Sequence, residues 1–308
     1  MSLPTRVALL FIDGVGVGRR DPTSNPLARE PFLLSQFDDG SGTALPHGGR
    51  RLDVDTTFGL RGRPQSASNQ TAIFTGLPAP RLVGRHVLGY PTRPLVELLA
   101  RGSLAVQLIA RGRRAAFANA YPVGYLDGLG LLRRPGSLGD FELPGRYRRR
   151  LRPSASALTF TSAGVPLRTF DDAAAGAGLT HDIDGAFGRA RRLGAPQRTP
   201  EDAAAVFWAL AEDFTLFEHS LADEAGHAQD FVAAAAALET FDRFAREVVR
   251  LRPRGAQVLI VSDHGNVEDL STRNHTTSRV AVLSFGERQP GPLATVADVG
   301  AQVLEWLP

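Results

Sequence analysis

Apolar runs punctuate the chain at intervals, and each ends at polar residues. Residues 6–12 read RVALLFI and stop at Asp13-Gly14. Weaker or similar runs follow at 113–118, 213–219, 256–262 and 279–285. Short continuous apolar stretches of this kind are the signature of strands buried on both faces. Between them lie segments with helical periodicity. TRPLVELLARG precedes the run at 113–118, and FVAAAAALETFDRFAREVVR precedes the run at 256–262. A helix over 200–212 carries its own start signal: Thr199 at the N-cap, Pro200 in the first turn and Asp202 at the third position. A last helix begins near Thr295, and the alanine run at 233–237 marks close helix packing.

Strands alternating with amphipathic helices predict an α/β fold: a three-layer sandwich with a mainly parallel central sheet and helices on both faces. The alternation degrades between 126 and 199, a stretch rich in Gly, Pro, Arg and Ala. This divides the chain into a core of residues 1–125 and 200–308 and an inserted cap of residues 126–199.

In open α/β sheets, ligands bind beyond the carboxyl ends of the strands. The run at 6–12 delivers Asp13, and that at 213–219 leads into LADEAGH, with Asp223 and His227. The run at 256–262 delivers Asp263 and His264, and TRNHTTSR then supplies His275. Singly, an Asp after a strand is a common turn former and a His a common structural residue. Together they are six metal-type ligands at corresponding places, and converging carboxylates repel one another unless a cation sits among them.

Composition narrows the cation. The chain has no cysteine, so any metal has oxygen and nitrogen ligands; Zn²⁺ and Mn²⁺ both suit them. The 35 basic residues are all arginine, yet the net charge is only +3, which gives no nucleic-acid footprint despite a pI of about 9.9. RYRRRLR at 146–152 is a local basic run that suits an anion or a solvated face. No apolar run is long enough to span a bilayer, and the opening residues show no cleavage-site pattern; both suggest a cytoplasmic protein away from membranes.

RPQSASNQTAIFTG, residues 63–76, adds a candidate nucleophile. Ser66 falls at or near a helix N-terminus, where backbone N–H groups favour phosphate. A serine hydroxyl needs activation, which a divalent cation can give. A simple helix-capping role for Ser66 or Ser68 fits the local sequence equally well.

Taken together, these motifs resemble the alkaline phosphatase superfamily, which includes cofactor-independent phosphoglycerate mutases, phosphopentomutases and nucleotide pyrophosphatases. The resemblance covers roughly residues 5–90 and 200–290. It rests on Asp13 after the first strand, Ser66 ten residues before Gly76, and DEAGH at 223–227. DHG at 263–265 and His275-Thr276 complete it. SDHGNVED and NHTTSRVAVL are most similar to the mutase branch. The resemblance implies one metal held by Asp13, Asp263, His264 and the Ser66 oxygen, and a second held by Asp223, His227 and His275. It also implies a phosphate contact from Asn69. Arg63, Arg85 and His86 lie nearby in sequence and are candidate substrate contacts.

The implied chemistry is two-metal phosphoryl transfer through a phosphoserine on a small phosphorylated substrate, in the first instance phosphomonoester hydrolysis. A phosphomutase, or a phosphodiester or sulfate ester hydrolase, is the alternative. Two departures weigh against the phosphoglycerate mutases themselves: the chain is shorter than the bacterial enzymes and lacks the lysine they place near the metals. A dinucleotide fingerprint in DGVGVG fails because its last position falls on Arg19. A non-catalytic metal-bound scaffold would show gaps in the ligand set, and the set has none.

Overall fold

The computed structural model describes residues 6–131 and 151–308. Its strands are β1 (Arg6–Ile12), β2 (Arg50–Val54), β3 (Ala115–Phe117), β4 (Ala120–Tyr121), β5 (Arg168–Thr169), β6 (Phe214–His219), β7 (Ala256–Val261) and β8 (Val280–Phe285). Six of them form one sheet in the order β2-β8-β7-β1-β6-β3. β3, β6, β1 and β7 run parallel, while β8 is antiparallel to both β7 and β2. The apolar runs are these strands: β7 and β8 are buried throughout, and β1 is buried beyond Arg6.

Alternation along β1 divides the core in two, because successive side chains point to opposite faces. Val7, Leu9 and Phe11 pack with Ile73, Leu99 and Val303 from helices Ser66–Thr75, Arg93–Gly102 and Ala297–Trp306. Ala8, Leu10 and Ile12 pack with Phe207, Phe241 and Val248 from helices Pro200–Leu210 and Phe231–Arg250. The result is the expected three-layer arrangement. Each fully buried Leu, Ile or Phe contributes roughly 1.5–3 kcal/mol relative to exposure, so both helical layers are firmly held to the sheet.

The helix boundaries follow local chemistry. Thr199 Oγ1 accepts from the Asp202 N–H at 3.1 Å, Pro200 opens the helix, and it ends at Leu210, two residues earlier than the pattern suggests. Asp230 caps Phe231–Arg250 through the Ala233 N–H at 3.0 Å. Ala234 and Ala237 of the alanine run are buried, and this helix packs against Pro200–Leu210.

Within 126–199 the described residues fall into two groups. Helix Ala155–Thr161 inserts Phe160 between Phe117 and Phe214, with ring centroids 5.1 and 6.1 Å away, and so belongs to the main core. Residues further on build a small side cluster, Phe170, Ala173 and Ala195 with Ala120, beside the two-stranded β4–β5 sheet. No described residue of this stretch adds a strand to the six-stranded sheet. Among the described residues, no helix is long and apolar enough to cross a membrane.

The register explains why the site forms where it does. Ile12 is level with His219, and Phe11 with Val261. The residues that follow β1, β6 and β7 therefore emerge side by side at one edge of the sheet.

Candidate metal centre

Asp13 leaves β1 with its N–H donated to His219 O at 2.9 Å. Asp263 and His264 leave β7 directly beside it. His264 Nε2 lies 3.4 Å from Asp13 Oδ1, 3.5 Å from Asp263 Oδ2 and 3.0 Å from Ser66 Oγ. These three ligand-type residues are buried and form one compact group. One oxygen of each carboxylate, Asp13 Oδ1 and Asp263 Oδ1, is buried without a hydrogen-bond partner.

A second group consists of Asp223 and His227, on helix Leu221–Ala228, and His275, on the β7–β8 connection. His227 Nε2 is 3.2 Å from Asp223 Oδ2, and His275 Nε2 is 3.7 Å from Asp223 Oδ1. His227 Nδ1 faces Arg273 O at 2.8 Å, and His275 Nδ1 faces Pro64 O at 2.9 Å. A carbonyl oxygen only accepts, so each Nδ1 carries the hydrogen. In the neutral rings both Nε2 atoms then present lone pairs, yet they face each other at 3.0 Å. One of the two must therefore hold a proton or share a cation, and His227, whose Nε2 also faces Asp223 Oδ2, is the ring that keeps the proton when no metal is bound. The rings of His264 and His275 stack at 3.7 Å and 19°, so the two groups adjoin.

Electrostatics agree. Burial, then the carboxylates of Asp263 and Asp223, push Asp13 well above the ordinary carboxylate range. Burial and the Asp223 charge push Asp263 up to about 8. Burial also pushes on Asp223, but the His227 hydrogen bond and the Asn266 amide hold it down at about 2. His227, bonded to Asp223, is raised to about 9, whereas burial depresses His264 to about 3. A site that must keep protons on two aspartates when no cation is present is built for positive charge. Orphaned carboxylate oxygens, clustered imidazoles and a thiolate-free donor set all fit divalent ions.

Ser66 is the first residue of helix Ser66–Thr75, and Gln65 is its N-cap residue. The Ser66 hydroxyl makes no capping bond; its hydrogen-bond partner is His264. Ser68 is turned away: its fully buried hydroxyl donates to Gln65 O at 3.1 Å and accepts the Val87 N–H at 3.0 Å. Of the two serines, Ser66 alone faces the ligand groups.

Asn69, expected to contact phosphate, lies buried behind Asp263. It has 0% exposure, and its Nδ2 donates to Thr56 O at 2.8 Å and Asp263 O at 2.9 Å. Both amide hydrogens are committed to the backbone, so Asn69 positions the Asp263 strand end. Arg63 is exposed beside the second group, where its charge acts on His275. Arg85 is exposed and His86 half-buried after helix Ala79–Val83. Among the described residues, no hydrogen bond or ion pair joins Arg63, Arg85 or His86 to the six clustered ligands.

Several supporting residues were not singled out from sequence. Gln70, one turn beyond Ser66, places Nε2 3.3 Å from Asp13 Oδ2 and 3.2 Å from Asp263 Oδ2. Asn266 Nδ2 donates to Asp223 Oδ1 at 2.7 Å. The buried Glu268 carboxylate accepts the Gly16 N–H at 3.0 Å, the Asn266 N–H at 2.7 Å and the Thr276 hydroxyl. Ser262 accepts the Val15 N–H at 2.9 Å and donates to His264 O at 3.0 Å. The signal was present, since Ser262, Asn266 and Glu268 all sit in SDHGNVED. Gly265 is required by crowding: a Cβ there would lie 2.1 Å from Glu268 Oε1 and 2.3 Å from Thr276 Oγ1.

A cleft of about 600 Å³ opens beside Asp13 and Asp223, walled by Tyr121, Tyr125 and Phe170 among others.

Residues 182–307 match the family model described as the Metalloenzyme superfamily. A phosphopentomutase of a Methylobacterium species is 44% identical over 89 residues, 27% of this chain and 22% of that enzyme. A 2,3-bisphosphoglycerate-independent phosphoglycerate mutase of Salinibacter ruber is 38% identical over 120 residues, 35% of this chain and 23% of that enzyme. The matched stretch thus spans under a quarter of the length of these relatives. In fold, the chain is similar to an alkaline phosphatase of Thermus thermophilus, with a TM-score of 0.53, 11% identity and coverage of 99% of this chain and 92% of that one. The C-terminal region is thus similar to the Metalloenzyme superfamily and, over short stretches, to two mutases, and the chain as a whole has an alkaline phosphatase-like fold.

Proposed function

We propose that the protein is a two-metal phosphoryl-transfer enzyme that works through a phosphoserine on Ser66 and hydrolyses phosphomonoesters. The observation that carries this reading is the position of the Ser66 hydroxyl, 3.0 Å from His264 Nε2 and beside two groups of cation ligands. Asp13, Asp263 and His264, with Ser66, would hold one divalent ion, Zn²⁺ or Mn²⁺, and Asp223, His227 and His275 the other. When bound, the ions would supply positive charge for the phosphate oxygens and favour the ionised serine. The chain's own groups do the rest. Ser66 sits at the N-terminus of a ten-residue helix, where free N–H groups face an incoming phosphate. Gln70 and Asn69 fix Asp13 and Asp263, while Asn266 fixes Asp223. The Ser66 oxygen loses its proton and bonds to phosphorus as the opposite P–O bond breaks. The departing alcohol takes up a proton, and water then cleaves the serine phosphate. Part of the stretch 126–199 flanks the substrate side, since Ser154, Phe170, His181 and Phe187 line the cleft.

A phosphomutase reading has its own support, the identity to a phosphopentomutase and a phosphoglycerate mutase. There the serine phosphate would return to a second hydroxyl of the same substrate. Turnover of phosphomonoesters by protein loaded with Mn²⁺ or Zn²⁺, followed by phosphorus NMR, separates the two. Release of inorganic phosphate, abolished by chelator and by Ser66→Ala, is the expected result. Isomerised ester without free phosphate favours the mutase. Turnover confined to diesters or sulfate esters overturns both.

A further inference from the structure

The stretch DGVGVG at 13–18 is glycine-rich like a phosphate cradle, but its central N–H groups are spent inside the protein. Val15 donates to Ser262 Oγ at 2.9 Å, Gly16 to Glu268 Oε2 at 3.0 Å and Val17 to Arg279 O at 2.7 Å. The glycines answer a different demand. A Cβ on Gly16 would lie 2.5 Å from Glu268 Cδ, and one on Gly18 would lie 2.7 Å from Glu268 Cγ. A Cβ on Gly265 would meet the same carboxylate. Gly16, Gly18 and Gly265 thus leave the space that one buried side chain, Glu268, fills. Its carboxylate joins three segments that each carry ligand-type residues. Oε2 accepts the Gly16 N–H, beyond Asp13, and the Asn266 N–H, beyond Asp263 and His264, while Oε1 accepts the Thr276 hydroxyl, next to His275. Two of these bonds lead to the second ligand group. Asn266 passes its own amide to Asp223 Oδ1 at 2.7 Å, and Thr276 is the neighbour of His275. The third reaches the loop after Asp13, whose side chain is held separately by Gln70, as is that of Asp263. Hydrogen bonds to an ionised acceptor are shorter and stronger than neutral ones, so this carboxylate fixes its donors firmly.

We propose that Glu268 is a positioning residue for the second ligand group: through Asn266 and Thr276 it holds Asp223 and His275 in place, and so sets the affinity of one ion and not the other. This rests on the two-metal reading of the ligand groups. Calorimetric titration of chelator-stripped protein with Mn²⁺ alone reads the ions without any turnover, and the wild type should take up two. Glu268→Ala should weaken one of them by roughly 10–100-fold, as loss of support behind a ligand does, and leave the other unchanged. Thr276→Val keeps the size of the side chain and removes the hydroxyl, so it should weaken the same ion by a smaller factor. His227→Ala tells which ion is affected: the ion that this variant still binds should be insensitive to a further Glu268→Ala. Glu268→Gln should restore most of the affinity, because an amide oxygen at the Oε2 position still accepts both N–H groups and the NH₂ can donate to Thr276 Oγ1. Equal weakening of both ions overturns the proposal, as does unchanged affinity in Glu268→Ala and Thr276→Val. A Glu268→Gln protein as weak as Glu268→Ala also overturns it, since hydrogen bonding is then not what Glu268 supplies. If Glu268→Ala fails to fold, Thr276→Val and Glu268→Gln decide. A wild-type protein that binds a single ion sinks the two-metal reading, and the positioning role is then judged by whether these variants weaken that ion. Binding of no ion sinks both.

Discussion

Asn69 decides between two ideas of how this site is supported, and its removal has a calculable cost. The side chain has no exposure, and one Nδ2 serves two backbone carbonyls, Thr56 O and Asp263 O, at 2.8 and 2.9 Å. A hydrogen bond of this type contributes roughly 0.5–1.5 kcal/mol net, and an acceptor left unpaired in the interior costs about 1–3 kcal/mol. Asn69→Ala removes both bonds and strands two carbonyls, so the loss should fall at about 2–5 kcal/mol. That is a large share of a typical domain stability of about 5–15 kcal/mol. Because one of the carbonyls belongs to Asp263, metal affinity should also fall, by roughly the 10–100-fold seen when support behind a ligand is lost. Urea unfolding of chelator-treated protein measures the first effect, with an unchanged denaturant slope as the check that the same surface unfolds. Metal titration measures the second. If Asn69→Ala keeps its urea midpoint and metal affinity while kcat/KM for a phosphoester collapses, Asn69 is a phosphate contact and the structural role is wrong.

Metal-loaded protein should contain close to two equivalents of Zn²⁺ or Mn²⁺ by elemental analysis, and His227→Ala should keep one; a single equivalent unchanged in His227→Ala contradicts the pair. The metal-free protein should lose stability as pH rises from 6.5 to 9. In the fold Asp263 titrates at about 8 against an ordinary 3.8, and His227 at about 9 against 6.5, so the fold binds more protons than the unfolded chain and sheds that stability through this window. His264, held at about 3, is neutral in both states above 6.5 and adds no slope there. Saturating metal should flatten the decline, and a flat melting temperature over this range in chelator would show that these groups are not perturbed. Gly14→Ala should weaken metal binding at Asp223. Gly14 has φ 75°, and a Cβ there would meet Asp223 Oδ1 at 2.6 Å and Asp223 Cα at 2.9 Å. The left-handed backbone alone costs about 1–2 kcal/mol for an L side chain, and unchanged metal content with an unchanged melting temperature would refute the crowding.

The parts of the fold legible in the sequence are those where one physical demand dominates. β1, β7 and β8 are buried on both faces and so read as apolar runs. The six ligand-type residues could be found because parallel strands in register bring their carboxyl ends to one edge. β2 was not read: its burial pattern is exposed or intermediate until Val54, as an edge strand permits, and nothing in RRLDV marks it. β4 and β5 are two residues each, too short for any periodicity. The backbone bonds of Asn69 were not legible, because an amide near a serine suits a phosphate and a backbone carbonyl equally in sequence. Gln70 and Glu268 act through contacts separated by up to 252 residues in sequence, which local pattern cannot show. The basic run at 146–152 lies mostly outside the described residues.

The central claim is that Ser66 carries the phosphate, and one measurement addresses it directly. Metal-loaded protein is mixed briefly with a labile phosphoester, quenched in acid and mapped by peptide mass spectrometry. Ser66 faces His264 Nε2 at 3.0 Å, whereas the Ser68 hydroxyl is buried and bonded to Gln65 O and the Val87 N–H. The expected result is a single phosphorylated residue, Ser66, absent from Ser66→Ala and from chelator-treated protein. Phosphate on Ser68, or full turnover by Ser66→Ala, would contradict the mechanism at its nucleophile.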